Sequence, residues 1–190
     1  MIILASSSNY RKELLSRLNL DFKTLSPDID EESFKLSSLT FEQVAETLSL
    51  EKAKEVLKNN PNSSVIGSDQ VLGFEGQIFD KPMTEQKAKE QLKLLQGSTH
   101  KLITSFTILS KDKTLTETVT AHMEMKSLTD QQIENYISKD QPLYSCGSYK
   151  LESLGIALFE SIKCEDDTAI VGLPLLKLVK ALKEFGIEVI

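Results

Sequence analysis

The chain has no tryptophan, two cysteines, two histidines and five prolines among its 190 residues, and aromatic residues make up only 6% of it. Each shortage excludes something. Cys146 and Cys164 lack metal-ligand spacing, and His100 and His122 neighbour neither each other nor a cysteine, so no zinc site is expected. The two thiols read as reduced core residues. No stretch approaches the roughly 18 apolar residues that a membrane span needs. The apolar start Ile2 to Ala5 is too short to be a signal peptide, which points to the cytoplasm. Positive charge is also in deficit, with 22 Lys and Arg against 28 Asp and Glu and a formal net charge of −6. General nucleic-acid binding wants a basic face and is disfavoured. An acidic protein that handles a polyanion needs a local cluster of cations, a divalent metal, or both.

What is present is ordinary for a globular chain, at 40% hydrophobic and 26% charged residues, and it reads as one domain over 1–190. The segment Ile2 to Ala5 reads as a strand that runs through Ser6, Ser7 and Ser8 into an amphipathic helix ending near Asn19. DFKTLSP alternates like a strand and stops at Pro27, and the acidic stretch after it, with Asp28, Asp30, Glu31 and Glu32, reads as an exposed loop. Thr40 with Gln43 forms a capping box for a long helix that ends at Asn59-Asn60-Pro61. SSVIGSDQVLGF reads as a buried strand interrupted at Gly67, Ser68 and Asp69. Thr84 caps a third helix closed by Gly97, and two long strand-like runs joined by KDKT predict a hairpin. Thr129 with Gln132 opens another helix, SLGIALFESIKCE reads as a strand, and VGLPLLKLVKALKEFG is a last helix with Pro174 near its start. Its leucines Leu175, Leu176 and Leu182, with Val179, read as a core stripe. Alternating strands and helices around a hairpin predict an α/β fold with a mixed sheet.

Several residues have the chemistry to handle an anion. A strand–turn–helix start aims unpaired N–H groups and a positive helix end at whatever sits above the turn. Arg11 stands in the first helical turn, where a cation opposes the dipole unless an anion arrives to offset it. Ser8 or Asn9 serves equally as an ordinary helix cap with Arg11 solvated. Asp69, beside Gly67 and Ser68 in an apolar strand, is either a turn aspartate bonded to its own backbone or an ionised carboxylate that is paired or binds metal. Lys81 precedes Pro82, so its backbone is pre-set as extended, and it suits either a rigid phosphate ligand or the surface. Lys52, on a helix, carries the weakest signal of the set. Cys146 has no histidine nearby in sequence and is not read as a nucleophile.

Taken together and in order, LASSSNYRKELL, PDIDE, EKA, GSDQV, DKP, YSCGSYKLESLG and VGLPLLKL resemble the Maf family of nucleoside triphosphate pyrophosphatases over nearly the whole chain. The resemblance implies a two-lobed α/β fold with a long twisted mixed sheet, flanking helices and a central cleft, similar to that of the inosine triphosphate pyrophosphatases. It also implies hydrolysis of the α–β phosphoanhydride of a nucleoside triphosphate with a divalent metal, Mg²⁺ or Mn²⁺. Residue by residue, it puts Ser8, Arg11, Lys52 and Lys81 at the phosphates, Asp69 at the catalytic base or metal position, and Glu31 at an acidic position that holds metal. Homodimers occur in the family.

The sequence departs from the commonest family pattern at Asn9 and Tyr10, where many members have proline and arginine, at Gln70, where many have threonine, and at Glu152, where many have glutamine. The combination resembles the branch that acts on 7-methyl-GTP. N7-methylation makes guanine cationic, and a cation over an aromatic ring gains about 0.5–2 kcal/mol. Tyr10 suits that platform, and the Glu152 carboxylate suits the paired donors on the guanine edge. Tyr10 equally suits packing and Glu152 the surface. Activity on dTTP or UTP, or nucleotide binding by a regulator of cell division without turnover, are the competing expectations.

Overall fold

The computed structural model describes residues 1–35 and 38–190. Its strands are β1 (Ile2–Ala5), β2 (Phe22–Leu25), β3 (Ser64–Phe74), β4 (Gln77–Phe79), β5 (Thr99–Leu109), β6 (Thr114–Met125) and β7 (Phe159–Lys163). The helices are α1 (Asn9–Ser16), α2 (Glu31–Lys35), α3 (Phe41–Lys58), α4 (Glu85–Leu95), α5 (Asp130–Asp140), α6 (Thr168–Val171) and α7 (Leu175–Glu184). The strands form a mixed seven-stranded sheet in the order β2-β1-β3-β5-β6-β7, with β4 paired to β3. β1 is parallel to both β2 and β3, whereas β4 on β3 and β7 on β6 are antiparallel. The mixed α/β expectation holds.

The chain forms two compact units. The first comprises Met1–Gln70, Ile103–Val119 and Asp166–Ile190, and the second Val71–Leu102 and Thr120–Glu165. In the first, the period-two alternation of β1 feeds two apolar clusters. Leu4 packs with Leu14, Leu15, Phe106 and Leu178, while Ile3 and Ala5 pack with Ala53, Val56 and Val65. Helices α1 and α7 therefore cover one face of the strand and α3 the other. The predicted capping boxes of Thr40 with Gln43 and of Thr129 with Gln132 are both formed.

Several local expectations give way. β3 runs unbroken through Gly67, Ser68 and Asp69. At Gly67 the helix α3 lies so close that a Cβ would stand 2.1 Å from the Ser49 carbonyl oxygen, so glycine serves close approach and not a turn. The acidic stretch is not wholly loop: Glu31–Lys35 forms α2, with acidic residues in its first turn and Lys35 in its last, as the helix dipole favours. Leu36 and Ser37 of that stretch lie outside the described residues. Leu154–Leu158 winds as a 3-10 turn, so only Phe159–Lys163 is strand. The last helix begins only at Leu175, after Pro174, because Val171 instead ends the short α6 and Gly172 takes φ 116°. Leu176 is 59% exposed and so leaves the core stripe, and Cys146 and Cys164 form no disulfide and are only half-buried.

Gly67→Ala is expected to lower stability by at least about 2 kcal/mol, because the obstacle is backbone and cannot swing aside. Urea denaturation checks this, and an unchanged midpoint would show that α3 backs away freely.

In the second unit, α4 and α5 pack together and are bridged by Lys89–Glu134 and Lys93–Asp130 ion pairs. His100 is buried there beside Tyr149 and Phe159. Its Nε2 lies 2.9 Å from the Tyr149 hydroxyl, and its Nδ1 has no partner among the described residues. Burial pushes the imidazole from its ordinary 6.5 down to about 4. The unfolded chain therefore binds this proton first as pH falls. Stability is unaffected by His100 above about pH 6.5 and drops between there and about pH 4, by roughly 3 kcal/mol in total. His100→Phe is expected to flatten that limb, measured as urea midpoints at pH 7.5 and 5; parallel slopes in both proteins would reject it.

Candidate active site

β1 ends at Ala5, which pairs with Gly67 on the parallel neighbour β3. The turn after β1 and the Ser68-Asp69-Gln70 stretch of β3 therefore occupy the same end of the sheet. In the turn, the Ser6 N–H donates to the Leu4 carbonyl at 3.0 Å and the Ser8 N–H donates to Ser6 Oγ at 3.1 Å. Ser8 is the N-cap of α1, its Oγ accepting from the Arg11 N–H at 3.4 Å. The capping role leaves Ser8 able to meet an anion, since a hydroxyl that accepts one bond still has its own hydrogen to donate. The first turn of α1 holds no acidic residue, so its positive end and the half-buried Arg11 are not neutralised from within the helix. Tyr10 stands on the same turn, 41% exposed.

Lys52 is the centre of the arrangement, although its position on a helix is the weakest signal in the sequence. Close approach of α3 to β3 at Gly67 brings it down onto the strand. Its Nζ donates to Asp69 Oδ1 at 2.5 Å and contacts Glu31 Oε1 at 2.8 Å. Lys52 and Asp69 are 6% and 5% exposed, so each charge depends on the other for its place in the interior. Asp69 is thus the paired carboxylate of the two readings, not a turn aspartate. Burial raises the Glu31 carboxyl, but Lys52, Lys35 and Arg11 together outweigh this and hold it below its ordinary 4.5. That influence also puts Arg11 within electrostatic reach of the cluster.

The other sequence candidates fall in two places. Gln70, next along β3, spends its amide nitrogen on Thr104 Oγ1 and on the carbonyls of Ala169 and Ile170, all at 3.0 Å. Only its Oε1 is left for a ligand. Lys81 and Glu152 belong to the second unit, and both are exposed. Lys81 sits between fixed neighbours, since the Asp80 carbonyl accepts from Gln91 and the Met83 N–H donates to the Leu143 carbonyl. Glu152 lies in a pinned turn: Ser153 Oγ donates to Asp140, and the Lys150 N–H donates to the Tyr136 hydroxyl. Ser6, Ser68 and Gly172, which the sequence reading does not name as site residues, also hold the site together. Ser68, flanking Asp69, is the one that its place in the motif signals.

Glu31 and Asp69 place hard oxygen donors on either side of one lysine nitrogen, and the Glu31 side chain is 42% exposed. Such a pair fits a Mg²⁺ or Mn²⁺ ion, which keeps part of its shell as water and takes phosphate oxygens alongside one or two carboxylates. Among the described residues no group of three or more His, Cys, Asp or Glu gathers as a metal cage.

A mixed α/β sheet with a helix N-terminus and a buried, carboxylate-paired lysine at one end is the frame of an anion-handling α/β protein. The chain belongs to the Maf family, whose model, described as Maf-like protein, matches residues 1–185. A 7-methyl-GTP pyrophosphatase of Bdellovibrio bacteriovorus is 44% identical over 182 residues, covering 96% of this chain and 95% of that one. Proteins of the same name from Xanthomonas axonopodis pv. citri and Bordetella pertussis are 38% and 41% identical, covering 99% and 98% of this chain and 98% and 93% of theirs. The solved structure of the Staphylococcus aureus Ham1 protein is 18% identical with a TM-score of 0.47, over 65% of this chain and 71% of that one.

Proposed function

We propose that this protein hydrolyses the α–β phosphoanhydride of a nucleoside triphosphate, 7-methyl-GTP before others, to the monophosphate and pyrophosphate, as a nucleotide house-cleaning enzyme. The observation that carries the reading is Lys52, buried between Asp69 and Glu31 in a chain about 40% identical to proteins named for that activity. Cleaving a triphosphate is mostly positioning and charge stabilisation. Ser8 and the α1 N-terminus take phosphate oxygens, and Arg11 and Lys52 balance their charge. Lys81 is assigned a further phosphate contact by its place in the DKP motif. Asp69 aligns the attacking water and takes its proton as the bridging oxygen leaves with pyrophosphate. Glu31 and Asp69 would hold the divalent metal, which when bound offsets phosphate charge and makes bound water more acidic. Tyr10 offers a ring face to the cationic base, Glu152 a carboxylate to its paired donors, and Gln70 its Oε1. Two cysteines that form no disulfide suit a cytoplasmic enzyme, and no helix among the described residues is long and apolar enough to cross a membrane.

Pyrophosphate release from 7-methyl-GTP, GTP, dTTP, UTP and CTP, with Mg²⁺, Mn²⁺ or chelator, tests the reading. Fast, metal-dependent release from 7-methyl-GTP is expected. Preference for a pyrimidine triphosphate would keep the chemistry and reject the roles of Tyr10 and Glu152. Binding without release from any nucleotide would favour a non-hydrolysing regulator. In the same assay Tyr10→Ala is expected to weaken 7-methyl-GTP about three- to thirtyfold more than GTP, the span of an exposed to a desolvated cation–ring contact. Equal losses would remove the stacking role.

A further inference from the structure

We propose that the Gly172 carbonyl, held by Ser68 and by the Gln70–Thr104 clamp on α6, is the positioning element of Arg11; the inference rests on the anion site read above. Arg11 Nε donates to the Gly172 carbonyl at 3.0 Å. The same oxygen accepts from Ser68 Oγ at 2.9 Å, and that hydroxyl also lies 3.0 Å from the Ser105 carbonyl. One oxygen thus joins α1, β3 and the turn after α6. The turn itself is fixed from the sheet side. Thr104 Oγ1 donates to the Ala169 carbonyl at 2.8 Å, and Gln70 Nε2 donates to the carbonyls of Ala169 and Ile170. A four-residue helix has little internal rigidity, so these bonds decide where its last carbonyls stand. Gly172 takes φ 116°, and a Cβ there would come within 3.3 Å of Arg11 Nε, so the turn fits closely around the guanidinium.

The alternation of β3 explains why the motif surrounds Asp69. Asp69 contacts Lys52 of α3, whereas its neighbours Ser68 and Gln70 bond toward α6 from the other face of the strand. Three consecutive residues therefore set both the carboxylate and the arginine. An arginine held by Nε keeps the four N–H donors of its two terminal nitrogens in a fixed plane, so less rotamer freedom is lost when they meet an anion.

A double-mutant cycle tests this with inorganic tripolyphosphate as the probe, its affinity measured by calorimetry on the full chain. Ser68→Ala is expected to weaken binding about fivefold, the worth of one positioning hydrogen bond, and Ser68→Thr to restore it. In an Arg11→Ala background the same Ser68→Ala change is expected to alter affinity less than about twofold, because the group it positions is gone. Equal losses in both backgrounds would overturn the proposal and leave Ser68 a general support of the sheet. Thr104→Val, which removes one clamp bond at nearly constant volume, gives a second cycle with the same expectation should Ser68→Ala not fold. The probe carries no base and needs no turnover. Coupling without hydrolysis of any nucleotide would sustain the positioning role while the proposed activity fails, and hydrolysis without coupling would do the reverse. Failure of the unmodified protein to bind tripolyphosphate would overturn both the anion cradle and its positioning.

Discussion

Asp69→Asn is expected to leave a folded protein whose turnover of 7-methyl-GTP falls by about 10²- to 10⁴-fold, the range lost with a positioned proton acceptor. The fold survives because asparagine keeps an oxygen where Asp69 Oδ1 accepts from Lys52, and because Lys52 retains its second carboxylate, Glu31. Chemistry fails because an amide neither accepts the proton of water nor donates hard anionic oxygen to a metal. The loss should sit in kcat with KM changed little, since Ser8 and Arg11 are untouched. Excess Mn²⁺ separates the two roles of the carboxylate: recovery of rate would assign Asp69 to the metal, and no recovery would assign it to the proton. Turnover within tenfold of the unmodified enzyme, with a normal melting curve, would remove Asp69 from the mechanism altogether.

The sequence makes the local devices of this fold legible and hides the tertiary ones. Thr40 with Gln43 and Thr129 with Gln132 announce their helices because every partner of a capping box lies within four residues. The start of the chain is equally plain, as β1, three serines and α1 follow without a gap. β3 is the opposite case. Gly67, Ser68 and Asp69 read as breakers of a strand, because the groups that satisfy them are remote in sequence. Lys52 is 17 residues from Asp69, and Gly172 is 104 residues from Ser68. The same distance concealed Lys52, whose significance depends on α3 meeting β3 at a residue with no side chain. Gln70 was legible as unusual but not in what it does, since its donors are directed at carbonyls of α6 about 100 residues on. Motif resemblance singles out these positions because a family pattern carries the result of tertiary contacts that periodicity cannot express.

Lys52→Met is expected to be the most destabilising single change at the site, by about 3–5 kcal/mol, because it leaves the Asp69 carboxylate buried without its cation. The argument turns on asymmetry. A buried ion pair adds little net stability over an apolar pair of the same shape, whereas half of one is costly. Lys52→Met combined with Asp69→Asn should therefore recover most of the loss, even though the double variant has no pair at all. Additive losses in urea denaturation would show that the two residues are not coupled and that the short contact between them carries no weight. Acid titration gives an independent check through Glu31. Its carboxyl is held below the ordinary 4.5, so the stability it contributes is present above that pH and is lost as pH falls through its lowered value. Without Lys52 the principal cation holding it low is gone, and the decline of stability below about pH 4.5 should be shallower in Lys52→Met than in the unmodified protein. A lysine that merely snorkelled over α3 would change neither the coupling nor the acid limb, so the two measurements together decide whether Lys52 organises the site.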